Sequence, residues 1–280
     1  MTRIDAHQHF WRLDRGDYGW LTPDLPTIYR DFTPPDLAPL LRQASVDRTI
    51  VVQAAPTAAE TEFLLTLAAE TDFIAGVVGW VDMEAGNAPD VISRLAAGPW
   101  LKGLRPMIQD IADVDWMLRS RLTPAFDAIV AAGLVFDALV KPPHLANLVK
   151  LIERHPEQSV VIDHCAKPSI ARWQPGGQSA RTWQDHMRAL AQSPRAWCKL
   201  SGLVTEADKG WRVDDLRPYV DFILETFGPQ RVIWGSDWPV LLLATDYDRW
   251  CAATRDLLRD LTAEARDAVF GGNAAYCYGL

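Results

Sequence analysis

The sequence predicts an α/β fold, a (β/α)8 TIM-type barrel with room for distortion, built from residues 1–280 as one domain. Three observations predict it. Short β-branched apolar runs alternate with longer amphipathic stretches along the whole chain, and the short runs number eight. Strict alternation implies parallel pairing, because each helical crossover returns the chain to the same end of the sheet. No GxGxxG or GxxxxGK[ST] follows any short run, so an open nucleotide-binding sheet has no support. A chain of 280 residues, half of them hydrophobic, is the usual size for such a barrel.

In chain order, the first strand is predicted over Ile4–His7. A Pro-rich segment, Leu21–Pro39, follows it as the longest irregular stretch, either a surface linker or a lid over the barrel mouth. Strands are then expected at Thr49–Gln53, Ile74–Trp80, Leu101–Leu104 and Val135–Leu139. Helices with an apolar face are expected between them at Ala58–Glu70, Ala88–Ala97 and Thr123–Ala132. The second half repeats the rhythm: helix Pro143–Arg154, strand Val160–Asp163, helix Ala180–Gln192, strand Trp197–Leu200, helix Val213–Phe227 and strand Arg231–Gly235. Two further helices, Asp246–Arg259 and Ala263–Phe270, complete the chain.

A net charge of −8 argues against a nucleic-acid partner, which requires a basic face. The four cysteines, Cys165, Cys198, Cys251 and Cys277, show no CxxC spacing, which excludes a zinc ribbon and argues against a disulfide framework. No signal-peptide pattern and no run of roughly 18 apolar residues is present. The expectation is a reduced, cytoplasmic protein that enters no membrane.

Catalytic groups of such barrels sit at the C-terminal ends of the strands. That rule selects few residues. The first strand ends in "AHQH", and alternation puts His7 and His9 on one side. The sixth ends in Asp163 and His164, and the eighth in Ser236 and Asp237. One strand-end histidine passes as structural; three with a carboxylate at one end of one barrel point to chemistry. His144, His155 and His186 fall in or beside helices and are read as surface groups. "LKGLRP" adds Lys102 and Arg105 near the mouth, and a cation there needs an anionic partner, such as a developing oxyanion or Asp82 or Asp137. Of twelve tryptophans, Trp11, Trp80 and Trp238 lie at strand ends, where they could meet a sugar face or simply fill the core.

His-x-His on the first strand, His164 on the sixth and Asp237 in "WGSDWP" resemble the amidohydrolase superfamily. More closely, "DAHQHFW", "LKGLRP", "DHCAKP", "KLSGL" and "GSDWPV", with the closing "GGNAAYCYGL", resemble its sugar-lactonase branch. That branch includes L-fuconolactonase and L-rhamnonolactonase, with 2-pyrone-4,6-dicarboxylate lactonase more distant. The resemblance implies a carboxylic ester hydrolase opening a small aldonolactone, L-fuconolactone foremost. It implies Asp237 as general base and His7, His9 and His164 as groups orienting the attacking water. Lys102 and Arg105 would face the oxyanion, and the three tryptophans the sugar ring. The fifth strand, "VFDALVK", lacks the histidine that metal-dependent members carry. A metal site would therefore hold one divalent ion, zinc by its ligands, on His7, His9 and Asp237, with His164 or water completing it. Metal-free attack stays equally open, as do a metal-dependent decarboxylase and a non-catalytic sugar-binding barrel. Oligomeric state is not legible.

Overall fold

The computed structural model describes residues 2–173 and 176–280. Eight parallel strands are joined in chain order. They are β1 (Ile4–Gln8), β2 (Arg48–Val52), β3 (Ile74–Gly79), β4 (Leu101–Leu104), β5 (Val135–Ala138), β6 (Val160–Ile162), β7 (Ala196–Leu200) and β8 (Val232–Trp234). The helices around them are α1 (Pro34–Ala44), α2 (Ala58–Glu70), α3 (Ala88–Ala96), α4 (Thr123–Ala131) and α5 (Leu145–Arg154). They continue as α6 (Gln178–Ala191), α7 (Val213–Phe227), α8 (Tyr247–Leu257), α9 (Ala263–Asp267) and α10 (Asn273–Tyr278). The barrel architecture expected from the alternation is present.

The strands bury two apolar layers because successive side chains leave opposite faces of the sheet. Ile50, Val52, Val78, Val135, Val161 and Ile233 pack in the lumen, while Val51, Val77, Phe136 and Ile162 pack outward against the helices. Helix spacing matches that outer layer: α5 turns Leu145, Leu148, Leu151 and Ile152 inward, at the i, i+3, i+4 positions of one helical stripe. Thr57 caps α2 by accepting the Glu60 amide at 3.1 Å, and Asp246 caps α8 by accepting the Arg249 amide at 2.7 Å.

Three features depart from the expectation. The end of the segment read as irregular, from Pro34, opens helix α1, whose first turn is set by the Thr33–Asp36 capping box and accepts proline at its start. The last helix stops at Asp267, passes through a π-turn at Ala268–Gly272, and resumes as α10, which pushes Ala274 and Tyr278 into the bottom of the lumen. The barrel also closes without a β1–β8 ladder. Beyond β8, Gln8 forms a single bridge with Trp238, the Asp237 amide donates to His7 O and the His9 amide to Trp238 O, both at 2.7 Å. Asp5 ties the seam from outside, accepting the Ser236 amide at 2.8 Å and the Tyr247 hydroxyl at 3.0 Å. The Pro-rich segment is anchored by paired bonds between the Trp11 and Phe32 backbones, each 3.0 Å, and it carries Leu25 over the mouth. No helix among the described residues is long and apolar enough to cross a membrane.

Candidate active site

The site begins with an irregularity in β1. Its register against β2 runs Ile4–Arg48, Asp5–Thr49, Gln8–Val51, so three steps on β1 match two on β2. The extra residue is a β-bulge, which re-aims the side chains after it. Ile4 and Ala6 face the lumen below the bulge, and His7 and His9 face it above. The closure at the seam then brings Asp237 against them. A side chain at position 235 would lie 2.6 Å from His7 Cβ, so the glycine of "WGSDWP" is what lets the last strand approach so closely.

Three imidazole Nε2 atoms converge on Asp237 Oδ1: His9 at 3.2 Å, His7 at 3.7 Å and His164 at 3.9 Å. Each ring is held from its other nitrogen. His9 Nδ1 lies 2.7 Å from Val52 O, which can only accept, so that nitrogen carries a proton. His9 Nε2 then needs a second proton, or a cation beside it, to face a carboxylate. His7 Nε2 accepts from Arg105 Nη1 at 3.2 Å, because a guanidinium only donates, and its Nδ1 faces Asp163 Oδ1 at 3.3 Å. His164 Nδ1 lies 2.9 Å from Ser201 Oγ.

Burial lowers His164 to about 4 and His7 well below the ordinary imidazole value, so both are neutral at pH 7. Burial acts to raise Asp237, but His164, His9 and His7 outweigh it and hold the carboxyl below its usual range. Asp237 is ionised.

His164 sits on an unusual turn. His164, Cys165, Ala166 and Lys167 all have positive φ, between 50° and 57°. Each non-glycine residue in that region costs on the order of 1–2 kcal/mol, so the surroundings must impose the conformation. Trp183 Nε1 donates to Cys165 O at 2.9 Å, and the Lys167 amide donates to His164 O at 2.8 Å. Gly202, at φ +64, lies so close that a Cβ there would be 2.5 Å from His164 Nδ1.

Beneath the imidazoles runs a buried ionic chain. Lys199 Nζ lies 2.6 Å from Asp137 Oδ2 and 3.0 Å from Asp163 Oδ1, and Tyr278 of α10 donates to Asp137 at 2.9 Å. Burial opposes the Lys199 charge, but the two flanking carboxylates raise its pKa, so it stays protonated. Burial likewise acts to raise Asp163, and Lys199, His7 and Arg105 together hold it well below the usual carboxylate range. Arg105 is clamped by Gln53, donating to its backbone and side-chain oxygens while Gln53 Nε2 donates back to Arg105 O at 2.9 Å.

The cavity above holds about 300 Å³. His9, His164, Asp237 and Arg105 line its floor, and His7 stands directly behind them. Four expected substrate contacts lie elsewhere. Lys102 lies in the first half of a four-residue strand and reaches the opposite end of the barrel, where Nζ donates to Gly279 O at 3.1 Å. Neither Asp82 nor Asp137 pairs with it. Trp11 is fully buried behind His9, its Nε1 donating to Arg30 O at 2.8 Å. Trp238 packs into the core against Phe10 and Phe32. Trp80 lines a neighbouring groove with Pro56, Met83 and Trp116. The three tryptophans are at strand ends, yet Trp11 and Trp238 turn into the outer core and Trp80 into that neighbouring groove. His144, read as a surface group, is buried beside Lys141.

Residues not singled out in the sequence fill those places. Trp20 and Leu25 wall the cavity on one side, and Lys167 and Glu206 on another. Lys199 had a signal: a lysine in the apolar strand "AWCKL", in phase with lumen-facing Trp197, has to be buried with an acidic partner. Lys167 and Glu206 lie in loops, where no periodicity points to a face.

Among the described residues, two overlapping donor groups could hold a metal ion: His7, His9 and Asp237, and His7, Asp163 and His164. They share His7, whose Nε2 faces Asp237 and whose Nδ1 faces Asp163. The rings' outward-facing Nδ1 atoms, each set near an oxygen, give the outer support typical of zinc-binding histidines.

The amidohydrolase family model matches residues 4–280. An L-fucono-1,5-lactonase from Burkholderia ambifaria is 48% identical, over 99% of this chain and 95% of its own. An L-fucono-1,5-lactonase from Burkholderia multivorans is 40% identical, over 99% of this chain and 96% of its own. Among solved structures, an amidohydrolase from Burkholderia multivorans with bound zinc superposes with a TM-score of 0.92 at 38% identity, both chains being covered in full. Strand-end histidines, left-handed turn and seam carboxylate thus occur in a chain whose whole length matches one family: the protein belongs to the amidohydrolases.

Proposed function

We propose that this protein hydrolyses a sugar lactone to the free aldonic acid, with L-fucono-1,5-lactone the leading substrate. The observation that carries this reading is an ionised carboxylate, Asp237, ringed by three imidazoles and a clamped guanidinium on the floor of a cavity of about 300 Å³. That volume suits a single-ring substrate. The lactonases from both Burkholderia species support it along the full chain and disfavour a decarboxylase or a binding-only barrel.

Asp237 takes a proton from water as its oxygen bonds to the lactone carbonyl carbon. The carbonyl oxygen becomes an oxyanion, and Arg105 holds positive charge at that end of the cavity. The tetrahedral centre then collapses, the ring C–O bond breaks, and the proton on Asp237 passes to the departing alkoxide. His9 and His164 orient the water, and His7 braces Arg105.

The donor set fits one divalent ion, and zinc suits its nitrogen-rich character. His7, His9 and Asp237 would hold it, with His164 in reach as a fourth ligand. When bound, such an ion makes nearby water more acidic, which suits a carboxylate that its imidazole neighbours render a weak base. The zinc in the Burkholderia multivorans structure supports this reading.

The test is a pH-indicator assay on a panel containing L-fucono-1,5-lactone, L-rhamnonolactone and a pyrone dicarboxylate, run before and after chelation with metal content measured. The expected result is highest kcat/KM on L-fucono-1,5-lactone and no more than one tightly held metal per chain. Dominance of the dicarboxylate, or no cleavage of any aldonolactone, overturns the assignment.

A further inference from the structure

The cavity wall is divided by chemistry. On the β8–β1 side, above the reactive groups, it is apolar: Trp20, Leu25, Val240 and Leu243. The adjoining side, from the loops after β6 and β7, carries Lys167 and Glu206, and Gln109 and Asp110 line the side after β4. Lys167 and Glu206 are half-buried, and among the described residues neither side chain has a hydrogen-bond or ion-pair partner. A charged group at a cavity wall without a protein partner is one left for a ligand, because its polar atoms must be satisfied somewhere.

The backbone explains how Lys167 comes to face the same space as His164. The four-residue left-handed turn closes with the Lys167 amide on His164 O, an i to i+3 bond. With three residues per turn, side chains at i and i+3 leave on one side. The turn that aims the imidazole at Asp237 therefore also aims the ammonium into the cavity. Glu206 is set opposite in charge, one loop away: burial raises its pKa, and Lys167 is the largest influence acting against that rise.

We propose that Lys167 and Glu206 are the specificity-determining pair of this site, reading vicinal hydroxyls of the lactone ring. An ammonium only donates and a carboxylate only accepts, whereas a hydroxyl does both. One cation and one anion together therefore suit a diol, while Glu206 repels a second carboxylate on a substrate. The hydroxyl-bearing edge of the ring faces this pair, and its C–H face and exocyclic methyl lie on Trp20 and Leu243.

This inference rests on the lactonase reading, and the experiment separates the two. Lys167→Met and Glu206→Gln are assayed on L-fucono-1,5-lactone and on unsubstituted δ-valerolactone, which has the reacting ester but no hydroxyls. L-Fucose binding, which requires no turnover, is measured by calorimetry in parallel. The expected result is a rise of about ten- to hundredfold in KM for the sugar lactone in either variant. The variants keep wild-type kcat/KM on δ-valerolactone and lose L-fucose binding. Equal losses on both lactones, or unchanged KM on the sugar lactone, overturn the proposal. If the wild-type protein cleaves no aldonolactone, the reaction assignment fails. The recognition pair then stands or falls on whether wild-type protein binds L-fucose and both variants lose it.

Discussion

Replacing Asp237 by asparagine removes the proton-accepting carboxylate, and metal content measured in the same variant reports its second role as a ligand. Asp237 lies at φ +62, a region asparagine tolerates better than any other residue except glycine, so the backbone at the seam is kept. The amide also matches the carboxylate in size beside His9 Nε2, 3.2 Å away. What it cannot do is take a proton from water. Loss of a general base costs about 10²–10⁴ in rate, or roughly 3–5 kcal/mol of barrier. The carboxylate contributes chiefly in the transition state, so kcat and kcat/KM should fall together while KM stays within about threefold. The assay is indicator-monitored hydrolysis of L-fucono-1,5-lactone, with circular dichroism and thermal unfolding as controls on the fold. A folded variant with wild-type kcat would show that another group accepts the proton. A large rise in KM with kcat unchanged would refute the argument differently, by making Asp237 a binding residue.

Gly202→Ala places a methyl 2.5 Å from His164 Nδ1 at a position whose φ of +64 already disfavours alanine. His164 must move away from Ser201, and kcat should fall at least tenfold with a loss of stability of about 1–3 kcal/mol; a variant with normal activity would mean that His164 need not be fixed. Glu60, fully buried where it accepts the Ala54 and Ala55 amides, is raised by burial from 4.5 to about 7. Its folded form binds a proton more tightly than its unfolded form. Its contribution to stability is therefore complete below pH 4.5 and declines by about 3 kcal/mol as pH rises through 7. Urea unfolding of wild type and Glu60→Gln across that range should show the wild type losing ground to the variant as pH increases. A gap that does not change with pH would contradict it.

The architecture and the reactive centre were legible in the linear sequence for a physical reason. A parallel barrel alternates eight apolar strands with seven amphipathic crossovers, and both periodicities are local. Helices Ala58–Glu70 and Val213–Phe227 have the limits their apolar spacing predicts. His7, His9, His164 and Asp237 were found because the barrel puts every strand's C-terminal end on one face, so strand-end position alone brings them near. Position along a strand did not reveal direction. Lys102 and Arg105 share one motif, yet their separation along the barrel axis sends one to the closed end and the other to the mouth. Trp11 and Trp238 sit at strand ends but turn into the outer core, and Trp20, in an irregular segment, supplies the aromatic wall instead. Only the tertiary structure joined Asp137, Lys199 and Asp163 into one buried chain, since a buried cation specifies that it has partners but not which strands provide them. The β1 bulge and the left-handed turn at His164–Lys167 were likewise decided by packing across the barrel. Each is disfavoured locally, and each is held by distant contacts, the β8 seam in one case and Trp183 and Gly202 in the other.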